Sequence, residues 1–266
     1  MTATLTLWHK HMTKFFRSPE AAFGMLMQPI LWVLLFGVGM QAMFRMGGAG
    51  TAMAQAFPGD YIGFMLPGII AFSALSGAVS GGANLLDERL RGIVKEYLVA
   101  PIPRYSVLLG NALSTVTQGL FQAAVIVLVG LLLGSRLGPN PLGWLAGLLV
   151  IALYALGVAG LALAVAAKVG STMGYHGLIA LNLPLLFASN ALYPLDVLPG
   201  WLAWIARINP TTYAIDAVRG LMYGLHFDGQ MSLWLSLAVL VGFAVLGMGL
   251  ATLAFRGTVK RQGAAV

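Results

Sequence analysis

The sequence contains no cysteine, which excludes a disulfide framework and a thiolate metal site and leaves the redox compartment unread. Charge is scarce as well. Charged residues make up 9% of the chain, where soluble domains carry about 25%. Only eight residues are acidic, and Glu20, Asp60, Asp87, Glu88, Glu96, Asp196, Asp216 and Asp228 all fall at the ends of apolar runs or between them. That placement argues against a secondary transporter, which holds ionisable groups near mid-membrane for ion coupling. No G-x-x-x-x-G-K-[ST] loop occurs, so any ATP chemistry must come from elsewhere. No H-E-x-x-H occurs either, and the four histidines, at 9, 11, 176 and 226, are scattered; no metal site is expected. An intramembrane serine hydrolase is a distant alternative. Ala74-Leu75-Ser76-Gly77 has the outline of a nucleophile turn and His176 lies toward the same membrane face, but Ala74 stands where that turn uses glycine.

What the chain does have is hydrocarbon. Of its 266 residues 59% are hydrophobic, with mean hydropathy +0.87. A soluble core does not need so much, whereas lipid solvates apolar side chains on the outside too. Six runs are long enough to cross a bilayer, at 22–44, 60–83, 106–134, 142–167, 171–193 and 231–255. They show no alternation, so helices are expected and strands are not. The net charge of +7 sits between the runs and not on one face, which excludes a nucleic-acid partner and reads as topology signalling. Lys10, Lys14, Arg17, Arg89, Arg91, Lys95, Arg104, Lys168, Arg256, Lys260 and Arg261 fall on one side, eleven cations against Arg45, Arg136, Arg207 and Arg219 on the other. The positive-inside rule then puts both termini in the cytoplasm. The first run is too long for the apolar core of a cleaved signal peptide.

Three segments outside the runs carry pattern of their own. Residues 1–19 place Leu5, Trp8, Met12 and Phe15 on one helical stripe beside His9, Lys10, Lys14 and Arg17. This predicts an amphipathic helix lying on the membrane lipid, with Ser18 as cap and Pro19 starting the next helix. In 84–104, Leu86, Leu90, Ile93 and Tyr97 share a face, while Asp87, Glu88, Arg89, Arg91, Lys95 and Glu96 decorate the rest. A short protruding helix that docks on a partner protein is expected, ended by Pro101 and Pro103. In 194–227, Pro194 and Pro199 precede an apolar helix bearing Trp201 and Trp204, and Asn209-Pro210 starts a second one through Tyr213, Asp216 and Arg219. Asn as cap with Pro in the first turn is a helix start. The pair reads as an external re-entrant hairpin, with Asp216 and Arg219 neutralising each other. Inside the runs, Asn111, Thr115, Gln118 and Gln122 form one polar stripe, Ser73, Gly77, Ser80 and Asn84 another, and Asn182 stands in the fifth run. Such stripes either join helices or line a transport path.

Two of these blocks resemble the ABC-2 type transporter permeases. One is Asp87-Glu88-Arg89-Leu90-Arg91-Gly92 through Glu96 and on to Pro101-Ile102-Pro103-Arg104, similar to that family's coupling-helix region. The other runs from Leu192-Tyr193-Pro194-Leu195 through Leu198-Pro199 to Asn209-Pro210-Thr211-Thr212-Tyr213 and Asp216-Ala217-Val218-Arg219-Gly220. The order of interfacial helix, six spans and external hairpin covers residues 1–266 as a single all-α transmembrane domain. The resemblance implies a permease subunit of an exporter in a bacterial inner membrane, working as a dimer. It also implies a separate cytoplasmic ATPase docked at 84–104, which carries the ATP and magnesium, so this chain is expected to be no enzyme and to hold no cofactor. The apolar, Met-rich spans favour an amphipathic or hydrophobic cargo, with polysaccharide or lipo-oligosaccharide as the alternative.

Overall fold

The computed structural model describes residues 2–45, 61–99, 103–225 and 229–263. Asp60, His226, Phe227, Asp228 and the expected helix stop at Ala100-Pro101-Ile102 lie outside the described residues. Every regular element among the described residues is helical. Helix α1 is Thr2–Arg17. Helix α2, Pro19–Trp32, runs through a π-helical turn, Val33–Val38, into α3, Gly39–Arg45. Helix α4, Tyr61–Leu90, is followed by the short α5, Ile93–Val99. Helices α6, Arg104–Leu132, and α7, Pro141–Lys168, come next. Two short helices follow, α8, Thr172–Ala180, and α9, Asn182–Phe187. A 3-10 turn, Leu195–Val197, leads to α10, Gly200–Ile208, and α11, Pro210–Val218. A second π-helical turn, Arg219–Tyr223, precedes α12, Leu233–Gly263.

Five stretches among the described residues are long and apolar enough to cross a membrane: Ala22–Met43, Tyr61–Leu90, Tyr105–Leu132, Pro141–Lys168 and Leu233–Phe255. They match five of the six expected runs. The remaining run, 171–193, is broken at Leu181 into α8 and α9. The cause is Pro184, which has no N–H to offer the carbonyl four residues back and whose ring crowds that carbonyl. Ser171 caps α8 by accepting from the Gly174 N–H at 3.2 Å, and Asn140 caps α7 by accepting from Leu142 N–H at 3.1 Å. Ser18 makes no side-chain cap, contrary to expectation, although Pro19 does open α2.

Helix α4 sits at the centre, with 94% of its most apolar stretch buried. Against α7, helix α12 packs backbone to backbone. A Cβ on Gly160 would collide with the Gly247 carbonyl group, and one on Gly247 with that of Gly157. Lipid gives no hydrophobic drive for helix pairing, so such close approach supplies the dispersion contacts that hold the bundle.

The contacts define two ends. At one, Lys10 of α1 meets Glu88 near the end of α4, and Arg89 reaches the last carbonyls of α7. At the other, Tyr61 donates to the Leu192 carbonyl at 3.4 Å, and the Gly138 N–H donates to Met222 O at 2.8 Å. The first end gathers segments rich in lysine and arginine; the second holds α10, α11 and the turn after α6.

Candidate functional site

Two of the sequence expectations change at the basic end. The helix expected from Leu86 to Tyr97 is not one helix. Helix α4 runs on to Leu90, because nothing before it stops the hydrogen-bond ladder, and Gly92 then turns the chain at φ 84°, a conformation glycine adopts without steric cost. The expected apolar face is split, with Leu86 buried at 1% exposure and Leu90 exposed at 48%. The charged residues divide in the same way. Glu88 is buried and accepts from Lys10 Nζ at 2.8 Å, and Lys10 also reaches the Tyr97 hydroxyl. Arg89 donates to the carbonyls of Ala167 and Val169, closing the C-terminal end of α7 as a cation does well. Asp87 and Arg91 pair with each other at 2.9 Å on the surface, and Glu96 is exposed. The Lys95 side chain lies outside the described residues.

Helix α1 packs along the first half of α6 instead of resting on lipid alone. Trp8 Nε1 donates to Thr117 at 3.1 Å, and the Phe15 and Phe121 rings meet edge to face at 6.2 Å. Leu7, not Leu5, turns inward, because Gly110 leaves room for it on α6. Burial pushes the His11 imidazole below its ordinary pKa, only partly offset by the Glu88 charge. Lys10 is held above its ordinary value: burial works against its charge, and Glu88 and Tyr97 outweigh it.

Between α2, α4 and α6 lies a cavity of about 380 Å³ lined by Gln28, Ser73, Ser76, Ser80, Gln118 and Gln122 among others, none of its lining residues being ionisable. Its polarity starts with Pro29. A proline inside α2 leaves the Met25 carbonyl without the N–H of its own helix, and Gln122 of α6 fills the vacancy by donating to that carbonyl at 3.3 Å. Of the five residues expected along a transport path, Gln118 and Gln122 line this cavity. Asn111 and Thr115 do not; they are buried at 3% and 4% exposure against Gly81 of α4. Asn182 donates to Ser76 at 3.4 Å and faces a second, apolar cavity of about 210 Å³ with Tyr154 and Asn209. His176 turns to the Thr172 carbonyl of its own helix, so the structure does not join it to Ser76.

At the far end, Asn209 caps α11 by accepting from the Thr211 N–H at 3.0 Å, as its sequence neighbours imply. It also donates to the carbonyls of Leu185 and Ala188, at 2.8 and 2.7 Å, and so pins the hairpin to the broken helix. Tyr213 donates to Arg207 O at 2.7 Å, and Tyr154 and Thr211 share a bond of 2.8 Å. Pro194 precedes the 3-10 turn and Pro199 the start of α10. Asp216 and Arg219 pair at 3.3 Å, both almost fully buried. Arg219 donates further to the carbonyls of Phe64 and Asn190, at 3.2 and 2.9 Å, and its guanidinium lies 4.0 Å from the Phe64 ring centre. Asp216 accepts from the Asn190 side chain and from the Met231 N–H at 2.9 Å. Spacing alone pointed to the pair. It gave no signal for Phe64, Asn190 or Met231, which come from three other parts of the chain.

A bundle of apolar spans around an uncharged polar chamber, with its charges at the two ends, defines a multi-pass membrane protein. The particular family follows from comparison: the family model of the ABC-2 type transporters matches residues 2–223, and the chain belongs to that family. Similar proteins include the ycf38 protein of Cyanophora paradoxa, a transport permease by name, 33% identical over 206 residues, which are 76% of this chain and 68% of that one. The daunorubicin resistance ABC transporter permease DrrB1 of Streptomyces coeruleorubidus is 28% identical over 254 residues, 94% of this chain and 86% of its own. The inner membrane transport permease YadH of Escherichia coli is 26% identical over 187 residues, 70% and 71% of the two.

Proposed function

We propose that the chain is the membrane subunit of an ATP-driven exporter that moves an amphipathic or hydrophobic compound out across a bacterial inner membrane. The observation that carries this reading is the uncharged polar cavity between α2, α4 and α6, on the same half of the helices as the basic end. An amphiphile needs hydrogen bonds for its polar part once water is removed, and these three helices supply them without a buried charge. Drug-resistance permeases among the relatives point the same way.

In this reading α8 and α9 together make the sixth crossing as a broken helix, and both termini lie in the cytoplasm with the basic end. Two copies of the chain work with two ATPase subunits, which hold ATP and magnesium. The ATPase docks at the turn from α4 to α5, where Asp87, Arg91 and Glu96 face outward; mixed charge there sets register and partner choice more than affinity. Helices α10 and α11 dip into the outer leaflet with Trp201 and Trp204, exposed at 68% and 66%, at headgroup level. They roof the path and shift to release cargo. The test is co-reconstitution with the ATPase subunit in vesicles loaded with a fluorescent alkyl glucoside. ATP-dependent movement of the probe, abolished when the ATPase is omitted, is the expected result. Movement indifferent to ATP would reject the reading.

A further inference from the structure

We propose that the polar cavity and an apolar groove beside it form one two-part site for an uncharged amphiphile, with a hydroxyl-bearing head in the cavity and a hydrocarbon tail along α2. The inference rests on the export reading for the direction of movement and deepens it by naming the chemical class of the cargo.

The two halves are joined. The groove, about 510 Å³, is lined by Phe23, Met27, Leu31 and Trp32 of α2 and by Leu35 and Phe36 of the π-helical turn after it, and it shares Gly24 and Gln28 with the cavity. A side chain at Gly24 would have open space on every side, so its absence leaves a passage between the halves. Polar lining on one side of that passage and hydrocarbon on the other match a molecule with two ends of the same kinds.

Hydrogen-bond accounting names the head group. The Met25 carbonyl can only accept, so the Gln122 amide must turn its nitrogen to it, and that fixes the Oε1 oxygen. Gln122 is 2% exposed, yet this oxygen has no partner. It lies 3.6 Å from where a Cβ on Gly77, another cavity residue, would stand. Ser73 spends its hydroxyl hydrogen on Ile69 O and Ser80 on Ser76 O, each at 2.8 Å. Ser73 and Ser80 therefore present oxygens that accept, while the side-chain amides of Gln28, Asn84 and Gln118, which also line the cavity, can both donate and accept. The hydroxyls of a sugar or other polyol do both and match this mixture. A phosphate, a sulfate or an ammonium carries a charge that no ionisable residue of the lining offsets once water is gone.

The experiment uses the full chain in lipid nanodiscs and a glucoside whose alkyl tail carries a diazirine. Photolabelling is followed by peptide mapping, with competition by octyl glucoside, octyltrimethylammonium and octyl sulfate, each below its micelle-forming concentration. The expected label falls on residues 23–36, and the neutral glucoside displaces it at roughly tenfold lower concentration than either ion. Gln122→Leu removes the open acceptor and is expected to weaken labelling roughly tenfold, the scale of one buried hydrogen bond. Because that change also strips the Met25 carbonyl, Gln118→Leu and Gly24→Leu serve as variants that leave it bonded; the first weakens head binding and the second closes the passage. Label spread over the lipid-facing surface, or competition indifferent to charge, overturns the site. Disulfide cross-links between the Ala22–Met43 spans of two copies, formed by cysteines at Leu31 and Leu35, would make the groove a subunit interface and also overturn it. Label at the site without ATP-driven efflux supports the site and removes the export reading; efflux of the glucoside without label there does the reverse.

Discussion

The buried pair at the hairpin end yields the sharpest energetic test. Asp216 and Arg219 are 3.3 Å apart with side chains 0% and 2% exposed. Changing Asp216→Asn keeps the size of the side chain and one acceptor oxygen, removes the charge, and turns the other oxygen into an amide donor. Arg219 then keeps its carbonyl partners, Phe64 and Asn190, but has no counter-charge in a layer that water does not reach. Arg219→Met does the converse and leaves a carboxylate facing Asn190 and the Met231 N–H alone. Breaking one side of a buried pair costs about 3–5 kcal/mol. In Asp216→Asn/Arg219→Met no charge is left, and what remains is the lost bonding to two carbonyls, about 1–3 kcal/mol. The double variant is therefore expected to be less destabilised than the sum of the singles by at least about 2 kcal/mol. The assay is unfolding of all four proteins in mixed micelles titrated with dodecyl sulfate, followed by tryptophan fluorescence. If the double variant loses the sum of the two singles, the charges are not coupled and the reasoning is wrong.

Three further outcomes are expected. Arg91→Glu, on an exposed side chain at the α4–α5 turn, should lower substrate-stimulated ATPase activity of the complex several-fold with no change in insertion, whereas Glu88→Gln should loosen α1 and show first as faster hydrogen exchange there; equal effects on ATPase activity from both would sink the division of roles. Asn209→Ala removes a cap and two donated bonds, so its cost should exceed the roughly 1 kcal/mol of a cap alone, and a thermal shift no larger than that of an exposed helix-cap variant would count against the pinning of the hairpin to α9. His11 has its folded pKa lowered, chiefly by burial, so its contribution to stability is present above the ordinary histidine value near 6.5 and is lost as pH falls below it. Acidification from pH 7 to pH 5 should loosen α1 from α6, read from Trp8 fluorescence with the other tryptophans replaced by phenylalanine, and His11→Gln should flatten that change.

Five spans, the capped start at Asn209, and the separation of charge into two ends were legible from one dimension, because each rests on local chemistry. Hydrocarbon must meet hydrocarbon over about 20 residues of helix. An asparagine before a proline satisfies the first free N–H groups wherever the helix is later placed. The sequence also named Asp216 and Arg219 as partners, since three residues of helix bring two side chains to the same face. The break at Leu181 could have been read from Pro184, but the apolar run hid it.

What only the tertiary structure decided is which polar groups answer one another across helices. Gln122 looks like any glutamine in a stripe until α2 brings the carbonyl orphaned by Pro29 within 3.3 Å of it. Glu88 and Arg89 look as free as Asp87 and Arg91, and they differ because α1 lays Lys10 on the first and α7 ends beneath the second. Phe64 and Asn190 come to Arg219 from positions 155 and 29 residues away along the chain. In a lipid-solvated bundle the desolvation of every backbone and side-chain polar group has to be matched by a specific partner. Composition sets how many such groups there are, and only packing sets which of them are left to face a ligand.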